Sequence, residues 1–451
     1  MELNTEFIER TRAVFGSERF GTFQSALSAA PVVSVRYNVA KMNMPDGYEA
    51  VPWAENACYL PIRPVFTADP LFHSGCYYVQ EASSMFLAQA IRQYVKSPVR
   101  ALDLCAAPGG KTTHLLSLLP SGSMLVANEP MPLRAQVLAE NVIKWGNPSA
   151  VVTRNRPSDF ASFRNLFDVI VVDAPCSGEG MFRKDEYAVK QWSVANVMQC
   201  VERQREILRD VWEALRPGGM LVYSTCTFNR EEDEDCVAWI ADELGAEVLP
   251  VECSPEWGIT GNLTETGHPV YRFIPGYTNG EGFFMSLLRK EGDGVSQLPK
   301  SPKVQLCPSK IKALVEEWVD DAQSFDFVLQ DDTVVATPKA HTALVAALQA
   351  RLKVLHAALP VAQIKNNKPV PNHALAMSTS LRSEAFAQVE LTREQALAYL
   401  HRETLMLPDA PIGILLLTYC GTPMGFAKNV GSRANNMYPS EWRIRKNPEE
   451  L

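Results

Sequence analysis

The sequence predicts an α/β protein whose central region is built on a mostly parallel sheet. Between residues 96 and 290, short β-branched runs alternate with longer segments of helical periodicity, which is the pattern of successive β-α-β units. Most of the short runs end in a polar or glycine-rich turn. The chain has 451 residues and is 46% hydrophobic, so it can bury more than one core. We therefore expect a multidomain protein organised around this region.

The predicted strands are the apolar runs that lie between polar turns. In chain order they cover residues 99–104, 124–128, 150–153, 167–172, 220–224 and 283–288. Ligands of open α/β sheets bind beyond the carboxyl ends of the strands. The residues directly after these runs are therefore the candidates for binding and chemistry.

The segments on either side differ from the central region in composition. Residues 1–95 contain the strand-like segment SVRYNV and several prolines, and they predict a small α+β accessory domain with a linker. Residues 291–305 are rich in Gly, Ser, Pro and charge, which is typical of a linker. Residues 306–451 predict a separate C-terminal region. Truncation at the linker is therefore expected to leave ligand binding by the central domain intact.

Composition limits the compartment and the partners. The ten cysteines form no CxxC pair, so we expect neither a disulfide framework nor a metal site, but free thiols in the cytoplasm. The longest apolar run, 412–420, is too short to cross a bilayer, and no membrane partner is expected. The net charge of −8 argues against nucleic acid, yet residues 333–383 carry six basic and no acidic residues.

The first candidate binding motif is ALDLCAAPGGKT, at residues 101–112. It reads as an apolar strand, a tight glycine turn and a helix that begins near Lys111. Such a helix N-terminus can bind a nucleotide phosphate or the carboxylate of S-adenosylmethionine. The glycine spacing matches neither a dinucleotide-binding nor a Walker loop. The alternative is a plain strand-to-helix turn.

Polar residues after the next two strands extend this candidate site. Glu129 follows residues 124–128 and is placed to accept hydrogen bonds from both hydroxyls of a ribose. After residues 150–153, Asn155 or Asp159 is the candidate for contact with an adenine edge. An isolated acid after a strand is more often a helix cap, so Glu129 gains weight only from its neighbours.

Two cysteines and a carboxylate follow the last two parallel strands. FDVIVVDAPCSGEG places Asp173 and Cys176 after one strand, and LVYSTCTF places Cys226 after the next. These residue types suit methylation at carbon 5 of cytosine. A thiolate that adds to carbon 6 makes carbon 5 nucleophilic. A carboxyl such as Asp173 can stabilise the charge at N3, and Cys176 is a candidate for proton removal at release.

These motifs, in this order and spacing, resemble the RsmB/RsmF (Fmu/Sun) family of RNA 5-methylcytosine methyltransferases. The resemblance covers about residues 1–290, including GCYYVQEASS at residues 75–84 and EGFFMSLLR at residues 281–289. It implies a Rossmann-like S-adenosylmethionine-dependent methyltransferase domain. It also implies that Cys226 is the nucleophile, that Cys176 releases the product, and that Asp173 and Lys111 complete the catalytic set.

The same resemblance implies the residues that bind the cofactor. They are Cys105, Ala106, Ala107, Pro108, Gly109, Gly110, Lys111, Glu129, Asn155 and Asp173. One position departs from the family, which usually has an Asp where this chain has Asn155. An Asn carbonyl can accept the same hydrogen bond from the adenine amine. Asp159 is the substitute for this contact.

The C-terminal sequence GFAKNVGSRANNMYPSEWRIR, residues 425–445, resembles the PUA-like RNA-binding domain of RsmF-type enzymes. Tyr438 and Trp442 suit base stacking, and the basic residues that surround them suit phosphate contact. The basic residues are Lys428, Arg433, Arg443, Arg445 and Lys446. RNA is therefore the expected partner, and the resemblance implies 16S rRNA of the small ribosomal subunit.

Three other functions compete with this reading. A tRNA 5-methylcytosine methyltransferase would carry the same catalytic motifs. A DNA cytosine methyltransferase would use the Cys of Pro175-Cys176, but the cysteine of YSTCT and the upstream motifs speak against it. A non-catalytic RNA-binding ribosome assembly factor would have no need to keep both cysteines, Asp173 and Lys111.

Overall fold

The structure is a computed structural model, which describes residues 3–366 and 368–445 of the chain. Strands in the described residues form one three-stranded sheet, one nine-stranded sheet and two four-stranded sheets. No helix among those residues is long and apolar enough to cross a membrane. Lys446, one of the basic residues singled out in the sequence, lies outside the described residues.

The N-terminal region combines helices with a three-stranded antiparallel sheet, as the sequence predicts. The side chain of Asn4 caps the first helix by accepting from the Glu6 amide at 2.8 Å. Phe7 and Phe23 then pack edge-on against Phe182 and Phe228 of the central region. The elements are α1 (Thr5–Phe15), α2 (Ser17–Ala26), β1 (Val33–Tyr37), β2 (Ala57–Leu60), α3 (Pro70–His73), β3 (Tyr77–Val79) and α4 (Leu87–Tyr94).

The central region alternates strands and helices in the predicted manner. All six predicted strands are present, with ends that differ by up to five residues. The elements are β4 (Arg100–Asp103), α5 (Gly110–Leu118), β5 (Met124–Asn128), α6 (Pro132–Trp145), β6 (Ala150–Thr153), β7 (Phe167–Asp173), α7 (Glu186–Gln191), α8 (Val194–Trp212), β8 (Leu215–Thr225), α9 (Glu234–Leu244), β9 (Ala246–Leu249), β10 (Tyr271–Phe273) and β11 (Phe283–Lys290).

The C-terminal region contains the two four-stranded sheets and four helices within the described part of the chain. Its elements are α10 (Ser309–Lys312), β12 (Phe325–Gln330), β13 (Thr333–Pro338), α11 (Thr342–Gln349), β14 (Val354–Ala357), β15 (Leu359–Lys365), β16 (Lys368–Pro371), α12 (His373–Met377), β17 (Ala387–Glu390), α13 (Arg393–Leu400), β18 (Gly413–Tyr419), β19 (Thr422–Asn429) and β20 (Ala434–Asn436).

The nine-stranded sheet has the order β10-β11-β8-β7-β4-β5-β6-β14, and β9 also pairs with β11. Strands β4 to β8 run parallel, whereas β11 runs antiparallel to β8. From β4 the chain continues to β5 and β6 on one side of β4, and it then crosses to β7 on the other side of β4. This reversal opens a crevice at the carboxyl ends of β4 and β7, where ligands of such sheets bind.

Both faces of this sheet are buried. Successive strand residues such as Ala101 and Leu102 belong to different core clusters. Leu115 of α5 and Leu138 of α6 pack on one face, and Leu208 of α8 packs on the other. The strands therefore read as continuous apolar runs rather than alternating ones, because neither face meets water.

Strand β14 belongs to this sheet although it lies in the predicted C-terminal region. It pairs antiparallel with β6 and covers the edge of the sheet. Leu344 and Leu348 of α11 are buried in the same core as the central strands. A fragment that ends at the linker would expose a sheet edge and core side chains, so we expect it to be less stable than the full chain. The domain limits at 95, 290 and 305 stay predictions.

Candidate active site

The glycine turn after β4 leads directly into α5. Gly109 has φ = 116°, a left-handed conformation that favours glycine, and it caps the helix that starts at Gly110. Behind the turn, Thr112 donates to the buried carboxylate of Asp103 at 2.6 Å. Burial raises the pKa of Asp103 to about 7. The first turn of α5 therefore presents its free backbone N–H groups at the crevice.

Lys111, in that first turn, forms an ion pair with Asp173 at the end of β7. Its Nζ lies 2.8 Å from Oδ2 of Asp173, whose Oδ1 accepts from the Ser224 hydroxyl at 2.8 Å. Burial by itself would lower the pKa of Lys111. The charge and the hydrogen bond of the Asp173 carboxylate act in the opposite direction, and the pKa of Lys111 lies above its ordinary value as a result. The sequence motifs of β4 and β7 thus meet through one cation and one carboxylate.

Cys176 and Cys226 lie side by side after β7 and β8. Their sulfur atoms are 3.3 Å apart, and both side chains are partly accessible. The hydrogen bond to the Cys226 sulfur, together with burial, raises the pKa of the Cys176 thiol well above its ordinary value. This pattern fits a Cys176 that keeps its proton and donates it to the sulfur of Cys226.

Two buried carboxylates tie the cysteine loops to each other. Glu179 accepts from the amides of Phe228 and Asn229 at 2.8 and 3.0 Å. Glu232 accepts from the Ser177 amide at 3.0 Å and from the Asn229 side chain at 2.7 Å. The burial of Glu232 raises its pKa to about 7. These contacts fix each cysteine relative to the other.

The crevice holds a cavity of about 370 Å³ that opens to solvent. Cys226, Asp173 and Lys111 line it together with the loop after β4. Two further walls come from segments to which the sequence analysis gave no role. The N-terminal wall includes Tyr78, Gln80, Glu81 and Ser84, and the wall next to β11 includes Glu281, Gly282 and Phe283. Both segments lie in the motifs GCYYVQEASS and EGFFMSLLR. The family resemblance therefore marked these segments, but it assigned no chemical role to their residues.

The other predicted residues lie near this cavity but do not all face it. Pro108 and Gly110 line the cavity, as do Cys105, Ala106 and Ala107, whereas Cys176 lies behind Cys226. Glu129 is buried after β5 and accepts from the Met131 amide at 2.9 Å, with Arg134 at 3.4 Å. Burial raises the pKa of Cys105, which fits a packing role for its thiol.

The two candidates for adenine contact have other partners in the structure. The side chain of Asn155 donates to the Lys353 carbonyl at 3.3 Å and accepts from the Lys353 amide at 3.1 Å. Asp159 is exposed and accepts from the Arg156 amide at 2.9 Å as a helix cap. Asn155 thus joins β6 to the chain before β14, and the adenine contact stays a prediction.

The C-terminal basic residues are exposed, but one predicted stacking residue is not. Lys428, Arg433 and Arg443 face solvent. The ring of Tyr438 is only 1% exposed and packs among core residues. The prediction that Tyr438 stacks on a base is therefore wrong. The spacing of aromatic residues along the sequence does not show which rings are buried in the core. Trp442 is half-buried. In the described residues, no cluster of His, Cys, Asp or Glu is arranged to hold a metal ion.

Comparison with protein families gives three matches along the chain. Residues 95–289 match the 16S rRNA methyltransferase RsmB/F family. Residues 3–82 match the N-terminal domain of 16S rRNA methyltransferase RsmF, and residues 386–444 match the methyltransferase RsmF PUA domain. The matches follow the order of the three regions predicted from the sequence.

Individual relatives resemble the chain over nearly its whole length. Ribosomal RNA small subunit methyltransferase F of Klebsiella pneumoniae (strain 342) is 31% identical over 96% of this chain and 95% of the relative. The protein of the same name from Shigella boydii serotype 18 is 31% identical over 94% of this chain and 92% of the relative.

Two solved structures share the fold over about two thirds of the chain. A methyltransferase homolog protein from Pyrococcus horikoshii has a TM-score of 0.55 and 27% identity, and covers 64% of this chain and 95% of its own. NSun6 from Pyrococcus horikoshii, solved with SFG, has a TM-score of 0.55 over 64% of this chain and 99% of its own. At 19% identity, the second structure supports the fold alone.

Proposed function

The chain belongs to the ribosomal RNA small subunit methyltransferase F family, and from this premise we propose that it methylates carbon 5 of a cytosine in 16S rRNA. It is an S-adenosylmethionine-dependent rRNA methyltransferase. The proposal adds the base, the atom and a covalent bond between Cys226 and carbon 6. The observation that carries it is the pair of sulfur atoms 3.3 Å apart, beside the Lys111–Asp173 ion pair.

The residues of the cavity fit S-adenosylmethionine by their chemistry. The N-terminus of α5 offers backbone N–H groups to a carboxylate. Glu129, which is buried after β5 and is not part of the cavity lining, would accept hydrogen bonds from the ribose hydroxyls. The loop of residues 105–110, the side chain of Glu129 and that of Asp173 would hold the cofactor. When bound, it supplies the methyl group in an electrophilic form.

Cys226 provides the nucleophile. Its sulfur lies on the cavity wall, and its neighbour Cys176 is a proton donor rather than a competing anion. The Cys226 thiolate adds to carbon 6, so that a C–S bond forms and the electron pair of the ring double bond moves to carbon 5. The carbon 5 that results is nucleophilic enough to accept a methyl group.

Asp173 and Lys111 stabilise the charge that this addition places on the ring. The Asp173 carboxylate lies between N3 of the base and the Lys111 ammonium at 2.8 Å, so that a proton of Lys111 can pass through the carboxyl to N3 and neutralise the ring. The Ser224 hydroxyl occupies the other oxygen of Asp173. The carboxyl therefore has a single orientation before the base arrives.

Cys176 removes the proton that carbon 5 must lose before Cys226 can leave. Its pKa is raised mainly by the hydrogen bond to Cys226. Once Cys226 is bonded to carbon, that hydrogen bond and the negative charge are gone, so the Cys176 thiol can lose its proton to water in the cavity, which opens to solvent. The Cys176 thiolate then takes the carbon 5 proton, the double bond re-forms, and Cys226 leaves as a thiolate.

The substrate and the compartment complete the proposal. The RsmF-type N-terminal and PUA regions flank the catalytic site, and the exposed basic residues Lys428, Arg433 and Arg443 bind rRNA phosphates. The enzyme acts on the small ribosomal subunit or on its 16S rRNA, in the cytoplasm.

Bisulfite sequencing of 16S rRNA from a deletion strain and its parent tests the proposal. We expect one cytosine to be protected from conversion only in the parent, and to regain protection when the wild-type gene is restored. A Cys226→Ala gene serves as the matched control and should not restore it. Identical conversion patterns in deletion strain and parent would contradict the assignment of 5-methylcytosine in 16S rRNA.

A further inference from the structure

A buried cation next to the N-terminal wall of the cavity has no acidic partner among the described residues. Arg36 of β1 is 1% exposed, and no carboxylate of the described residues lies within 4.0 Å of its guanidinium. Its Nη1 has no hydrogen-bond partner there either, and the guanidinium carbon lies over the ring of Trp145, 4.5 Å from the ring centre. Burial lowers the pKa of Arg36 to about 9. A buried charge without a counterion is costly, so a nearby anion would be strongly favoured.

Arg36 joins this wall to the first turn of α5. Its Nη2 donates to the Thr113 hydroxyl at 2.7 Å and to the Gly110 carbonyl at 3.3 Å. His114 of α5 is also buried and is affected by the charge of Arg36. Burial, followed by the charge of Arg36, lowers the pKa of His114 well below its ordinary value, so that this ring stays neutral. Arg36 and the N-terminal end of the α5 dipole are both positive, so both favour an anion at the start of α5.

Arg36 also fixes the orientation of Gln80. Its Nε donates to Oε1 of Gln80 at 2.8 Å. A guanidinium can only donate, so the amide group of Gln80 must turn its NH₂ away from Arg36. Gln80 lines the cavity and is 5% exposed. Its NH₂ has one acceptor among the described residues, the Ser84 hydroxyl at 3.3 Å, which leaves the second N–H available.

The amide of Gln80 lies at the start of α5. A Cβ atom placed on Gly110 would lie 3.7 Å from the amide carbon of Gln80. A fixed side-chain donor and free helix N–H groups thus meet at one corner of the cavity, and the uncompensated cation that orients the donor lies next to it. This combination suits a small carboxylate.

We propose that Gln80, held in place by Arg36, donates a hydrogen bond to the methionine carboxylate of S-adenosylmethionine at the N-terminus of α5. Gln80 is the residue that touches the cofactor, and Arg36 is a positioning residue. The accessory region would then complete the cofactor site of the central domain. The inference rests on the proposed placement of the cofactor in this cavity.

The test compares two ligands by calorimetry on the full chain. S-adenosylhomocysteine carries the carboxylate, and 5′-methylthioadenosine lacks both the carboxylate and the amino group. The variant Gln80→Glu gives Arg36 an ion-pair partner, so the fold is kept, but it places a second negative charge in front of the carboxylate. We expect its affinity for S-adenosylhomocysteine to fall about 10- to 100-fold, and its affinity for 5′-methylthioadenosine to stay unchanged.

A second variant, Gln80→Leu, removes the donor without adding charge and should show the same selectivity with a smaller loss. Unchanged affinities, equal losses for both ligands, or tighter binding of S-adenosylhomocysteine by Gln80→Glu would overturn the inference. The variant Glu129→Ala separates it from the proposed function. If Glu129→Ala leaves the affinity for both ligands unchanged, the placement of the cofactor is wrong.

Discussion

At the scale of single residues, the neighbouring cysteines Cys176 and Cys226 have different surroundings. Cys226 faces the cavity, whereas Cys176 lies behind it and has a raised thiol pKa. The two sulfur atoms nevertheless share one hydrogen bond at 3.3 Å. Loss of either cysteine should therefore stop the reaction at a different step.

Replacement of the two cysteines should give opposite results. Cys226→Ala removes the nucleophile, so neither methylated product nor a covalent complex forms. Cys176→Ala permits attack and methylation but impairs proton removal, so the enzyme stays bonded to its RNA. The adduct is detected as a slow band in denaturing electrophoresis that disappears after ribonuclease treatment. An adduct in Cys226→Ala would place the nucleophile at Cys176 instead.

Glu129→Ala should weaken the binding of S-adenosylmethionine, because it removes a buried acceptor for the ribose hydroxyls. The expected loss is about 1–3 kcal/mol, as for a hydrogen bond to a charged group. Calorimetry on the apo-protein measures it. Glu213→Ala is a matched control, since Glu213 is an exposed acid that precedes β8 at the opposite edge of the sheet. Equal affinities of the two variants would contradict the placement of Glu129.

At the scale of structural elements, buried carboxylates connect the loops that follow β7 and β8. Glu179 and Glu232 accept hydrogen bonds across the loops that follow β7 and β8, and so hold the cysteines in register. Every partner of Glu232 is a donor, which favours its ionised form. Burial opposes ionisation and raises the pKa of Glu232 to about 7. Folding therefore couples to the protonation of this buried carboxyl.

The stability of the protein should depend on pH through Glu232. Its pKa is raised on folding from 4.5, so the folded state binds the proton more tightly than the unfolded state. Its contribution to the free energy of unfolding is complete below pH 4.5 and is lost as the pH rises to about 7. The slope is at most about 1.4 kcal/mol per pH unit.

Urea denaturation between pH 5 and pH 8 measures this effect. Asp103 has a similarly raised pKa, so the comparison of wild type with Glu232→Gln isolates one group. The variant cannot ionise at this position, and its stability should fall less steeply with rising pH. Equal slopes for the two proteins would show that Glu232 does not titrate in this range.

At the scale of the whole molecule, the C-terminal region takes part in the central fold. Strand β14 covers the edge of β6, and Met377 carbonyl lies so close to Gly146 that a Cβ there would meet it at 2.1 Å. The amide of Thr379 donates to the Gly146 carbonyl at 3.0 Å. The segment that precedes the PUA region is thereby held against the central region.

Truncation after residue 305 should therefore destabilise the central domain. It uncovers the edge of β6 and exposes core residues that contact Leu344 and Leu348. We expect a lower thermal midpoint and aggregation of the fragment, measured by circular dichroism and light scattering. A monomeric fragment with the midpoint of the full chain would contradict the role of β14.

Charge reversal on the C-terminal surface should weaken RNA binding without an effect on the cofactor. The triple variant Lys428→Glu, Arg433→Glu, Arg443→Glu removes exposed cations, and each lost phosphate contact should flatten the salt dependence of binding by about one unit. Lys96→Glu, at an exposed lysine just after α4, is the control for a single charge reversal outside the C-terminal surface. Unchanged affinity and slope would exclude this surface.

The sequence by itself determined the α/β core and which side chains meet at the candidate site. Continuous apolar runs predict β4 to β8 because they are buried on both faces. The motifs that follow these runs place Lys111, Asp173, Cys176 and Cys226 at one edge of the sheet, since carboxyl ends of parallel strands converge. These signals are local, and each needs only a short stretch of chain.

Only the tertiary structure decided what distant segments contribute. β14 is four residues long and carries no strong pattern, and its pairing with β6 spans about two hundred residues of chain. The burial of Tyr438, the pairing of Asn155 with Lys353 and the approach of Arg36 and Gln80 to α5 are likewise long-range contacts. Local pattern cannot predict them, because their free energy arises from surfaces that meet only after the chain has folded.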